Sequence, residues 1–112
     1  MAEMFTTGTW KPTAGKDDAF VKAWSEFAAW ASTMTGAGTL RLARDVRDGE
    51  GFVSFGRWAS YESVNGWKSN PEFQERLARV LQYVDEFAPR ELELIAAVEA
   101  GASVALAQAG RV

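Results

Sequence analysis

The chain has 112 residues, 47% of them apolar and 24% charged, a formal net charge of -3, and neither cysteine nor histidine. That is one globular domain with no cationic surplus to follow a nucleic-acid backbone. The two absences exclude disulfides, thiolate nucleophiles, the commonest general base, the usual haem ligand and most zinc sites.

Five tryptophans, Trp10, Trp24, Trp30, Trp58 and Trp67, put more large apolar surface into a short chain than one small core readily absorbs. Some of it is expected to line a pocket or an interface. Met1 to Trp10 lacks the basic and apolar regions of a signal peptide. No apolar run approaches the ~20 residues of a membrane span. The expectation is a cytoplasmic protein without membrane or nucleic-acid partners.

Met4 to Trp10, rich in threonine and aromatics without helical period, predicts a first strand that Lys11-Pro12 ends. Lys16 to Thr35 predicts a helix, because Phe20, Trp24, Phe27, Ala31 and Met34 recur at spacings of four and three. Asp17 and Asp18 suit its first turn, and Gly36 suits its stop. Thr39 to Val46 alternates apolar with polar, Arg47 to Gly51 is a turn around Asp-Gly, and Phe52 to Trp58 returns. Ser60 caps a short helix through Ser69. Asn70-Pro71 then starts a second helix along Phe73, Leu77, Val80, Val84 and Phe87, ended by Pro89. Glu91 to Glu99 alternates as a last strand.

The order β-α-β-β-α-β predicts an α+β, ferredoxin-like antiparallel sheet with helices on one face. The domain is read as residues 1–100, with 101–112 as a small, alanine-rich C-terminal tail. The neighbours Phe52 and Val53, and the pair Phe55 and Trp58, put apolar residues on both parities of one strand. An uncovered apolar face predicts that two copies pair as a homodimer.

The stretch from Phe52 through Arg57-Trp58-Ala59-Ser60, followed by Trp67-Lys-Ser-Asn-Pro-Glu-Phe73, resembles the antibiotic biosynthesis monooxygenase family. The resemblance runs over roughly residues 3 to 99 and implies a dimeric α+β barrel built from two ferredoxin-like halves. The family's haem-degrading members carry an asparagine, a tryptophan and an axial histidine. Their positions fall on Thr7, Trp67 and Leu77, so two of the three are replaced, and leucine cannot bind iron. An unusual axial ligand would have to be Tyr83 or Met34. The other branch oxidises hydroxylated aromatics without metal or flavin. That chemistry needs a dry apolar pocket and an oriented anion, and no cofactor.

On this resemblance Trp67 and Thr7 are the candidate catalytic pair. Phe5, Phe20, Trp24, Phe55, Phe73 and Leu77 are the candidate substrate-binding wall, around a small aromatic or hydrophobic ligand. Each has a plainer role: threonine is a good strand former, and the aromatic stripes pack cores. Arg57 either reaches an anionic substrate or pairs with Glu91 or Glu93 on a neighbouring strand. No residue declares itself a base. Two readings therefore stand: a cofactor-free monooxygenase of hydroxylated aromatics or quinols, and a non-catalytic dimeric module that binds a hydrophobic small molecule.

Overall fold

The structure, a computed structural model, describes residues 3–101. The elements are β1 (Met4–Pro12), α1 (Asp17–Ala31), β2 (Ala37–Arg44), β3 (Phe52–Trp58), α2 (Tyr61–Lys68), α3 (Phe73–Leu81) and β4 (Val84–Glu93). The strands form one sheet in the order β2-β3-β1-β4, every neighbouring pair antiparallel. This is the expected ferredoxin-like α+β arrangement, with α1, α2 and α3 on one face. The tail 102–112 lies outside the described residues. No described helix is long and apolar enough to cross a membrane.

The apolar stripe of α1 buries Phe20, Trp24, Phe27 and Ala31, while Asp17 and Asp18 occupy its first turn. The helix stops at Ala31, so Met34 falls in the turn beyond it. Gly36, at φ 85°, makes that turn, and its carbonyl accepts the Ala59 N–H at 2.8 Å. Ser60 caps α2 as its sequence position predicts: its backbone is extended and its hydroxyl accepts the Ser63 N–H at 3.1 Å. Asn70 does similar work one turn before α3. Its side-chain oxygen accepts the Glu72 N–H at 2.8 Å, so Pro71 lies in a turn rather than in the helix.

The C-terminal boundaries differ from the periodicity. α3 ends at Leu81, and Val84, Phe87 and Pro89 belong to β4, which ends at Glu93 rather than at Glu99. The cause is a register irregularity: Lys11 pairs with Glu86 but Pro12 pairs with Val84. The extra residue, Asp85, lets Val84 and Phe87 both pack against the core although three positions apart. A bulged strand thus imitates helical spacing. Pro89 is tolerated because β4 is an edge strand.

The pleat sorts β1 and β3 cleanly. Thr6, Gly8 and Trp10, with Phe52, Ser54, Gly56 and Trp58, are buried under the helices. Phe5, Thr7 and Thr9, with Val53, Phe55 and Arg57, take the other face. That open face carries exposed apolar side chains: Val53, Phe55 and, on β4, Leu92. Arg57 pairs with Glu3 at 2.7 Å rather than with Glu91 or Glu93. The charged hydrogen bond raises the guanidinium pKa and lowers that of the carboxyl.

Two indoles tie the central strands together. Trp10 of β1 donates to the Ser54 hydroxyl of β3 at 2.9 Å, and Trp58 of β3 donates to the Thr6 hydroxyl of β1 at 3.0 Å. Both bonds are buried, and each runs diagonally, since Trp10 faces Phe52 and Trp58 faces Met4 in the register.

Two stability outcomes follow. Gly36→Ala places a methyl 2.0 Å from the Ser63 hydroxyl on a left-handed backbone, and should cost about 2 kcal/mol or more in urea unfolding. Thr6→Val leaves the buried Trp58 N–H without an acceptor and should cost about 1–3 kcal/mol, whereas Thr6→Ser should cost much less.

Candidate functional site

Between the sheet and the helices lies a cavity of roughly 140 Å³, a volume comparable to one that admits a benzene-sized ring. Its floor is a tile of four small residues at the centre of the β1–β3 pair: Thr6 opposite Gly56, and Gly8 opposite Ser54. The tile exists because two of the four lack a side chain. A Cβ on Gly8 would stand 2.9 Å from the Phe87 ring and 3.1 Å from the Ser54 hydroxyl. One on Gly56 would stand 3.1 Å from Leu40 and 3.3 Å from the Thr6 hydroxyl.

Aromatic clusters bound the tile. On one side Trp10 stacks on Phe87 at 3.9 Å and packs against Phe20, which packs against Phe52. On the other, Trp67 stacks on Trp58 at 4.8 Å and meets Phe73 edge-on at 5.0 Å, with Phe27 against both Trp67 and Phe73. Trp24, Phe27 and Ala28 of α1 and Leu77 of α3 complete the walls. Exposed Pro89 and Arg90, with half-buried Lys68, line the side open to solvent. Lys68 is held there by Glu91 at 2.6 Å.

The polar inventory is small and one-sided. The Trp67 indole N–H is buried and has no hydrogen-bond partner among the described residues. The Thr6 and Ser54 hydroxyls accept from Trp58 and Trp10. Lys68 supplies the charged side chain, whereas Arg90, opposite Thr7 in the register, turns its own to the open face and contributes main chain; among the described residues no aspartate, glutamate or tyrosine lines the cavity. Among the described residues no three carboxylate, histidine or cysteine side chains gather as a metal site.

Of the residues singled out by sequence, Trp67, Trp24, Phe73 and Leu77 line the cavity. Thr7 and Phe55 border it too, but the pleat turns their side chains to the open face, so they contribute main chain. Phe5 shares that open face, and Phe20 is fully buried behind Trp10. Tyr83 and Met34 are not among the lining residues; Tyr83 lies in the turn after α3. Trp30, half-buried, sits under the Arg76 guanidinium at 4.9 Å. The tile residues Thr6, Gly8, Ser54 and Gly56 were missed. Their signal was present as small residues alternating on the same parity as Trp10 and Trp58.

The fold has close counterparts among solved structures. A putative antibiotic biosynthesis monooxygenase from Chloroflexus aurantiacus is similar at 23% identity, with a TM-score of 0.69 over 88% of this chain and 99% of that one. SnoaB, described as a cofactor-independent oxygenase from Streptomyces nogalater, gives 12% identity and a TM-score of 0.73 over 89% and 98%, in a mutant form. A putative antibiotic biosynthesis monooxygenase from Deinococcus radiodurans gives 12% and 0.75 over 86% and 96%. At these identities the likeness is one of fold. No curated protein matches the sequence. The model of the antibiotic biosynthesis monooxygenase family matches residues 4–79, from the first strand through most of α3, taking in the small-residue floor of the cavity and its aromatic walls except Phe87, and the chain belongs to that family.

Proposed function

We propose that the chain is a cofactor-independent monooxygenase that oxidises a hydroxylated aromatic or quinol in this cavity, working as a cytoplasmic homodimer. The observation that carries the reading is the ring-sized aromatic cavity with the unpartnered Trp67 N–H beside it. Membership of the family and the fold shared with a named cofactor-independent oxygenase support it.

The chemistry asks little of the protein. An electron-rich phenolate can itself pass electrons to oxygen. In converting a phenol to a quinone, one oxygen atom enters the ring as a carbonyl. The other leaves with two substrate hydrogens as water, and the substrate supplies all four electrons. The aromatic walls exclude water and hold the ring plane, and Trp67 stacks and orients. Oxygen uptake with a panel of quinols and anthrones should be protein-dependent and should fall about tenfold or more in Trp67→Phe.

One observation favours the rival reading, a non-catalytic module that binds a hydrophobic small molecule: among the described residues no carboxylate or tyrosine lines the cavity to act as base. No uptake across the panel, together with retained ligand binding, would establish that reading instead.

The open sheet face supports the homodimer. Val53, Phe55 and Leu92 are 38%, 37% and 45% exposed there, a patch that a second copy would cover. Sedimentation at micromolar concentration should show a dimer, and Phe55→Glu should shift it to monomer. A monomeric unaltered protein would overturn this part of the proposal.

A further inference from the structure

The cavity, at roughly 140 Å³, is bounded by parts that do not yield easily. Both aromatic walls are locked to the sheet. Trp10 is held by Ser54 and backed by Phe87 at 3.9 Å, and Trp58 is held by Thr6 and backed by Trp67 at 4.8 Å. Moving the walls apart would break a buried hydrogen bond or unstack a pair of rings. The floor is equally fixed, because Gly8 and Gly56 sit within the β1–β3 ladder. A Cβ on either would press on a lining side chain, Phe87 at 2.9 Å or Leu40 at 3.1 Å. Trp67, only 6% exposed, lines the same space, and its indole N–H has no partner among the described residues. A buried donor left unmatched beside a cavity points to an occupant.

We propose that the cavity is a size filter that takes a single aromatic ring and disfavours fused-ring ligands, with Gly8 and Gly56 setting its depth. This deepens the proposed monooxygenase reading and rests on it for the ligand class: of the quinols and anthrones, the one-ring quinols are the members that fit. A cavity of this volume matches one ring. A second fused ring finds no room sideways, where the stacked walls stand, or downwards, where the sheet lies. It would have to overhang the mouth between Pro89 and Lys68. There it would lie against the Lys68–Glu91 ion pair, 2.6 Å apart, and leave its apolar edge in water. The added carbons would strain the packing inside without gaining burial outside.

The test is calorimetric titration of the unaltered protein with phenol and with 2-naphthol at neutral pH. The order of the two affinities separates the proposal from its alternative. On an apolar surface without a size limit, the extra ring would strengthen binding about tenfold or more. The expected result is the reverse, phenol binding at least as tightly as 2-naphthol. Leu77→Ala, which removes part of the α3 wall, should raise the affinity for 2-naphthol relative to phenol about threefold or more. Gly56→Ala, which crowds Leu40 and the Thr6 hydroxyl, should weaken phenol binding about threefold or more. Tighter binding of 2-naphthol to the unaltered protein, no binding of either probe at millimolar concentration, or an order unchanged in Leu77→Ala would overturn the proposal. The order in the unaltered protein decides even where a variant fails to fold. No turnover is involved. The expected order without oxygen uptake would leave the size filter standing and remove the monooxygenase reading alone, and uptake with the opposite order would do the converse.

Discussion

The arrangement depends on a pair of reciprocal hydrogen bonds across the β1–β3 ladder, Trp10 to Ser54 and Trp58 to Thr6. Each anchors a large ring at one end of a strand pair to a small hydroxyl nearer its middle. An indole buried without an acceptor would be destabilising, so sequence and register must agree on both partners at once. A slip of β3 by one residue would carry Trp58 and Ser54 to the face opposite Trp10 and Thr6 and break both bonds at once. The same two bonds that fix the register therefore keep both tryptophans and both hydroxyls on one face of the sheet.

The hollow follows from that constraint. With tryptophans at the ends and Thr6, Gly8, Ser54 and Gly56 between them, the sheet presents a dip that the side chains of α1 and α3 bridge without filling. Trp67 depends on the same bonds at one remove. It stacks on Trp58, which is fully buried and held by Thr6. Disturbing a strand threonine would thus be felt at the aromatic wall through ring packing, without any change in the wall's own residues.

Much of this was legible in the sequence, and the rest was hidden for identifiable reasons. The α1 stripe, the hairpin around Asp48-Gly49 and the Ser60 cap are local patterns, and the chain follows them. The end of α3 was not legible, because a bulge opposite Lys11 and Pro12 gave strand residues Val84 and Phe87 a helix-like spacing. Thr6 and Thr7 differ in the sequence only by parity, and parity defines two faces without saying which lies inward. Only the helices settle that Thr6 is covered. The aromatic wall was easier to find than the floor, since large residues mark a pocket and small ones look like ordinary strand.

The two rims of the sheet are unlike its open face. On the β4 rim Pro89 lacks an N–H, and Asp85, Glu86, Arg90 and Glu91 keep the strand charged. On the β2 rim the pairing with β3 is irregular between Ala37 and Leu40, and Arg41 and Arg44 follow. Both rims are therefore poor templates for an added strand, which is how natural sheets resist uncontrolled growth into fibrils. Concentrated protein has an apolar face to associate through but little edge to extend, so its associations are steered towards closed assemblies of finite size.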